Sequence, residues 1–251
     1  MNYGLQMFSV RDTTKNDLIG TLKAVAKVGY KDIEFAGFFG NSPEALKAAL
    51  DENSLTCNGI HSHFDDLDRD FSGMMNYMHK LGATDFIIAS APIANRADVD
   101  RLVANIIKYK PMLAAEGLTL SYHNHYTEFL PNTDKQIPHD ELRDRTDIDF
   151  EIDTSWAYVG GRDPVKILEE LRDRVHVIHL RDVIVDRSGE NHHKGRALGE
   201  GEVPVEAIWL KARELGMRMV VESGGLDPTG IEEVTRCMNY LRKLEADHPE
   251  K

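Results

Sequence analysis

Asp153 and His179 close two neighbouring β-segments, and each can bind a metal or carry a proton. In Ile148–Asp153 the residues Ile148, Phe150 and Ile152 alternate with Asp149, Glu151 and Asp153, the period of two of a strand. In Val175–Asp182, Val175, Val177 and His179 share one face, and His176, Ile178 and Leu180 share the other. Between them lies a Gly-Gly break, Asp163 as a cap, Pro164 at a first helical position, and an amphipathic helix. Strand, helix, strand at this length predicts a parallel crossover. In such proteins ligands bind at the C-terminal strand ends, where Asp153 and His179 fall.

Other strand ends carry similar chemistry. Gln6, Glu34, His61, His63, His123, His125 and Glu222 fall there, with Glu128 just beyond the fifth strand. Carboxylates packed together repel one another and are costly to bury, and a divalent cation removes both problems. Imidazoles mixed with carboxylates suit Mn²⁺ first, with Mg²⁺, Co²⁺ and Zn²⁺ as alternatives. Asp153, His179, Glu222 and Glu128 are the candidate ligands. Each has a plainer alternative: Asp153 as a cap for Thr154 and Ser155, His179 as a satisfied histidine, Glu128 as an exposed loop acid. Glu34, His61, His63, His123, Trp156 and Arg181 are candidate substrate contacts. Glu34 could equally be an acid within a barrel layer, Trp156 a core residue or a stacking wall, and Arg181 with Asp182 an ion pair at the mouth. His192 and His193 are expected to be solvated.

The positioning elements read in chain order. Strands are predicted at Tyr3–Ser9, Asp32–Phe35, Thr56–His63, Phe86–Ala89 and Leu118–Asn124, then the two segments above, then Met217–Glu222. Helices are predicted at Leu18–Lys27, from Pro43 to about Glu52 behind the Ser42 cap, at Phe71–Leu81, from Arg96 to about Glu116, at His139–Arg145, Pro204–Leu215 and Gly230–Leu244. Acidic residues 65–70, and the stretches 126–138 and 183–203, are expected to be loops, the last two functional by their length. Eight strand–helix units in 251 residues predict one closed (β/α)8 TIM barrel.

The formal net charge of −12 argues against a nucleic-acid footprint. No apolar run reaches membrane length, and no leader is visible, so the cytoplasm is the expected location. A homo-oligomer is compatible with the chain.

The motifs at Gly4–Asp12, Val28–Gly37, Tyr122–Phe129, Glu151–Trp156, His179–Asp182, Leu198–Pro204 and Val220–Glu222 together resemble the xylose isomerase-like barrels, a superfamily of sugar phosphate isomerases and epimerases that also contains the family 2 apurinic endonucleases. The resemblance implies one divalent metal held by Glu128, Asp153, His179 and Glu222. In ketose epimerases the first of these lies within the fifth strand; here Ser121, Tyr122 and His123 stand there, and His123 or His125 could substitute. The endonuclease branch uses Asp-x-x-His at the sixth strand end, where this chain has Trp156 instead of the histidine.

The leading expectation is therefore a metal-dependent sugar isomerase or epimerase, acting on a sugar or polyol through proton transfer beside a carbonyl and a stabilised enediolate. Glu222, with Glu128 or His125, would move the proton. The alternatives are β-elimination from an inosose or 3-keto glycoside by the same proton abstraction, and a non-catalytic sugar-binding barrel. Ser223-Gly224-Gly225 could offer amides to a phosphate.

Overall fold

The computed structural model describes residues 1–186 and 193–249 of the chain. Eight parallel strands close into a barrel: β1 (Gly4–Gln6), β2 (Asp32–Phe35), β3 (Thr56–Ser62), β4 (Asp85–Ile88), β5 (Thr119–His123), β6 (Asp149–Asp153), β7 (Val175–Leu180) and β8 (Arg218–Val221). Each pairs with its neighbours in sequence, and β8 pairs with β1.

Eight outer helices cover the barrel: α1 (Leu18–Val28), α2 (Pro43–Glu52), α3 (Phe64–Leu81), α4 (Arg96–Ala115), α5 (Pro138–Arg145), α6 (Pro164–Glu170), α7 (Val205–Glu214) and α8 (Gly230–Asp247). Their starts follow local chemistry. Asp17, Ser42, Asn95, Asp163 and Thr229 each accept a first-turn amide. The expected helices stand with boundaries shifted by one to three residues, except α3, which starts seven residues earlier than expected, and a short helix at Thr154–Val159 was not expected.

Three local expectations are corrected. The first strand stops at Gln6, because the Gln6 carbonyl oxygen of the side chain accepts the Phe8 amide at 3.1 Å and turns Met7–Val10 into a 3₁₀ helix. Acidic residues 65–70 are helical, since Asp65 and Asp66 occupy a first turn, where negative charge is favoured, and Asp66 also accepts the His63 amide at 3.2 Å. The helix breaks at Asp70, where φ and ψ are −156° and 80°. Within 183–203 an antiparallel ribbon pairs Asp182–Ile184 with Lys194–Arg196. Its root is the Asp182 carboxylate, which accepts amides of Val183, Gly199, Gly201 and Val203 at 2.9–3.1 Å. Asp182 is therefore an anchor for the ribbon and forms no pair with Arg181 at the mouth.

Strand register determines what meets inside. Gln6 lies beside Glu34, His123 beside Glu151, and Asp153 beside His179. Gly59 makes room for this interior: a Cβ there would stand 2.5 Å from Ile87 and 3.5 Å from the Glu34 side chain. Below the polar layers, Asp85 takes the Ser121 hydroxyl within hydrogen-bond distance of both its oxygens, at 2.8 and 2.9 Å.

Burial pushes the Asp85 carboxyl well above its ordinary range. A raised folded-state pKa means stability that is complete below the unfolded value, roughly 3.9, and lost as pH rises through the folded value. Asp85→Asn should then raise stability at pH 7 by about 1 kcal/mol, with the gain vanishing as pH falls to about 4, read by urea denaturation at several pH values.

Candidate active site

The C-terminal half of the barrel interior is a network of carboxylates and imidazoles. Glu34, Glu151, Asp153 and His179 are fully buried, and His123 and Glu222 nearly so. His179 stands at the centre. Its Nε2 lies 2.7 Å from Glu34 Oε2, and its Nδ1 2.8 Å from Glu222 Oε2. His123 Nδ1 lies 3.2 Å from Glu151 Oε2, and its Nε2 3.8 Å from Glu222 Oε2. Each of these two rings therefore turns one nitrogen to an interior carboxylate and the other toward Glu222. His61 Nε2 lies 2.7 Å from Glu151 Oε2. Glu34 is held in place by Asn58 Nδ2 at 3.1 Å and Gln6 Nε2 at 3.4 Å.

At the mouth, Arg181 Nη1 donates to Glu222 Oε1 at 3.1 Å and lies 3.8 Å from Asp153 Oδ2. Its guanidinium packs 4.4 Å from the Trp156 ring centroid. Asp153 Oδ1 accepts the Trp156 amide at 2.8 Å, but Asp153 Oδ2 is buried with no hydrogen-bond partner.

The electrostatics follow. Burial raises the Asp153 carboxyl to about 7. Burial opposes ionisation of Glu222 too, yet Arg181 and His179 hold its pKa well below the usual value. Burial likewise opposes charge on His61, but Glu151 and Glu34 raise it to about 9. Against the same burial, Glu151 and Glu34 hold His179 well above the ordinary imidazole value. Burial lowers His123 to about 3, so it is a neutral donor at pH 7, and it lowers His125 as well.

Among the described residues two sets of side chains could hold a cation, each with ligand atoms within 4.8 Å of one another: His123, Asp153, His179 and Glu222; and His61, His123, Glu151 and His179. The first fits better. Each set contains one carboxylate oxygen without a hydrogen-bond partner, Asp153 Oδ2 in the first and Glu151 Oε1 in the second, but the other oxygen of Glu151 already meets three imidazoles. It also leaves Glu34 and Glu151 to orient the ligand histidines from behind, the carboxylate–histidine arrangement usual around metals.

Several expected residues take other positions. Glu128 lies outside both sets. Its oxygens accept from the Tyr122 hydroxyl, the His125 amide and the Thr127 hydroxyl, each at 3.0 Å, which pins the turn after β5. Glu34 sits beneath the site as a partner of His179, so it is not exposed to a substrate. Trp156 is buried behind the cavity lining, its ring 5.8 Å from that of His125 and 4.4 Å from that of His193. His193 is therefore packed, contrary to expectation, and His192 lies outside the described residues. Ser223 and Gly225 are committed: their amides donate to Ser9 Oγ and Glu233, and the ribbon's Gly195 covers Gly224–Gly225 so closely that a Cβ would stand 2.7 Å from the Gly225 nitrogen. Glu151 was missed as a site residue, although it lies two residues before Asp153 on one strand and so faces the same way.

A cavity of about 290 Å³ opens above the network, lined by Gln6, Phe8, His61, His63, His123, His125 and Glu222 among others. A larger surface cleft of about 580 Å³ beside Tyr158, Arg162 and Pro204 carries no such cluster. Among the described residues no helix is long and apolar enough to cross a membrane.

The fold and this mouth define an α/β barrel whose interior acids and imidazoles gather at the C-terminal strand ends. The family model for xylose isomerase-like TIM barrels matches residues 22–244, and the chain belongs to that family. An inosose dehydratase from Geobacillus kaustophilus is 25% identical over 187 residues, which span 64% of this chain and 61% of that protein. A sugar phosphate isomerase/epimerase from Parabacteroides distasonis superposes with a TM-score of 0.78 at 23% identity, covering 96% of this chain and 93% of the other. A probable 3-DHS dehydratase from Bacillus anthracis superposes with a TM-score of 0.74 at 13% identity, covering 96% and 99%. The family contains isomerases, epimerases and dehydratases.

If His123 rather than Glu128 completes the cation set, Mn²⁺ added to chelator-stripped protein should raise Tm in Glu128→Gln as in wild type. His123→Ala should lose most of that increment. Differential scanning fluorimetry over a Mn²⁺ series reads both.

Proposed function

We propose that the protein removes a proton beside the carbonyl of an uncharged polyhydroxylated ketone and completes the reaction by expelling water. The observation that carries this reading is the make-up of the cavity: among the described residues Glu222 is its one lining carboxylate, set among His61, His63, His123 and His125, while Glu128 is turned away. Epimerisation by two opposed carboxylates would need a second acid facing the cavity. Imidazoles exchange protons near neutral pH, and one can take the proton from carbon while another protonates the departing hydroxyl.

His125 is assigned as the base, because it lines the cavity and among the described residues no side-chain carboxylate is hydrogen-bonded to its ring, only its amide being bonded to Glu128. Trp156 supports that ring from behind. His61 or His63 faces the same cavity as the donor. The balance is simple: a C–H bond and a C–O bond break, a C=C bond forms, and water leaves. A divalent cation held by His123, Asp153, His179 and Glu222 would polarise the ketone oxygen and stabilise charge that develops there. Arg181 keeps Glu222 ionised and placed. An uncharged substrate suits the site because the amides of Ser223 and Gly225 are already engaged. The relatives named inosose dehydratase support the elimination.

A second reading is isomerisation or epimerisation after the same first step. It is favoured by the presence of both Glu222 and His125 in the cavity, which could return the proton to a different carbon or face.

Incubation with inososes and ketoses in D₂O with Mn²⁺ tests both. We expect deuterium beside the carbonyl together with an unsaturated product, and loss of both with EDTA. Deuterated isomer without unsaturation would favour the second reading, and turnover without exchange would overturn both. His125→Asn should lower kcat at least ~100-fold with Tm retained. Glu128→Gln should retain exchange.

A further inference from the structure

A second cleft, of about 420 Å³, opens off the cavity beside β2 and β3. The two share Ala36, His61 and His63, so a molecule seated over Glu222 lies against the opening of this cleft. One wall is aromatic and apolar, formed by Phe38, Met74 and Tyr77, and the rest of the lining includes Ser62, Asp66, Arg69 and Asp70. The rings of Phe38 and Tyr77 stack with centroids 3.9 Å apart and planes 5° apart, and Met74 lines the same wall. All three are half-buried, packed on the core on one side and open on the other. Phe8 on the cavity lip and Phe39 in the turn after β2 are 46% and 49% exposed.

The backbone around the cleft departs from regular geometry to form it. Gly37 has φ +104°, and Phe39 has φ +50°, a conformation a bulky residue rarely adopts. Helix α3 breaks at Asp70, and the cleft is lined from both sides of the break, by Asp66 and Arg69 before it and by Met74 and Tyr77 after it. Asp70 Oδ1 accepts the Gly73 amide at 2.8 Å, and a Cβ on Gly73 would collide with Asp70 Oδ2.

Of the charged residues that line the cleft, Asp66 and Arg69 are paired with each other, and Asp70 accepts the Gly73 amide. Asp66 accepts from Arg69 Nη2 and from the Ser62 hydroxyl, each at 2.6 Å. An ionic group entering the cleft would have to break these bonds, whereas a neutral ring would gain the stacked aromatic wall. We propose that this cleft is a subsite for a neutral aromatic substituent on the polyol, so that the substrate class is an aryl-substituted, glycoside-like ring rather than a bare one. This rests on the reading of the Glu222 cavity as the polyol site.

Isothermal titration calorimetry of the full chain with phenyl and methyl β-D-glucopyranoside tests it, since neither carries a ketone and neither turns over. The phenyl compound should bind at least tenfold tighter. Met74→Trp, which fills the cleft, should abolish that advantage and leave the methyl affinity unchanged. Phe38→Ala, which removes the stacked ring without adding bulk, should reduce it in the same way. Equal affinities in wild type, or an advantage unchanged in both variants, would overturn the subsite. Solvent-deuterium exchange on a bare inosose separates the two readings. Exchange retained without an aryl advantage overturns the subsite alone, an aryl advantage without exchange supports the subsite while the enzymatic reading falls, and absence of both overturns the two together.

Discussion

Four carboxylates, Glu34, Glu151, Asp153 and Glu222, are removed from water within one end of a barrel. Buried charge on this scale must be balanced or neutralised, and the surrounding structure is arranged to do so. His179 takes the central place between Glu34 and Glu222, His61 and His123 meet Glu151, and Arg181 meets Glu222. Only the outer oxygen of Asp153 and one oxygen of Glu151 are left without partners. The Asp153 oxygen belongs to one of the side-chain sets that could hold a cation, and the proposed metal centre rests on it.

The barrel supplies what this network needs. Parallel register sets the interacting residues side by side on adjacent strands, and Gly59 clears the space that Glu34 occupies. Segments after the strands then fix what surrounds the mouth. Glu128 pins the turn carrying His125, Asp182 gathers four amides to root the ribbon, and Glu233 accepts from Ser223 and from the Gly225 and Asp227 amides to hold the loop after β8. Each is a buried or partly buried acid used for loop geometry, so not every acid near the mouth belongs to the chemistry.

The barrel was legible in the sequence because its punctuation is local. Ser42-Pro43, Asp163-Pro164 and the glycines ending helices mark units without any knowledge of tertiary contacts. Residues 65–70 were misread because their acids suit a loop and a helix N-terminus equally well. The sequence placed Asp153, His179 and Glu222 at strand ends, and the structure brings the three together in one candidate cation set. Glu151 was hidden because a period of two does not say which face of a strand turns inward; in β6 the acidic face is the interior, and Phe150 and Ile152 belong to the hydrophobic core. Linear spacing cannot show that the Glu128 carboxylate folds back on Tyr122, His125 and Thr127. The aromatic cleft depends on contact between residues 38 and 77, which no local pattern reveals.

The central claim is that His123, Asp153, His179 and Glu222 share one divalent cation at the mouth. Anomalous diffraction from crystals of the protein grown with Mn²⁺ tests it most directly. The account predicts a single peak bounded by those four side chains, with Glu34 and Glu151 behind the two histidines. A peak at Glu128, a peak among His61, Glu151 and the interior faces of His123 and His179, or no peak at all would contradict it.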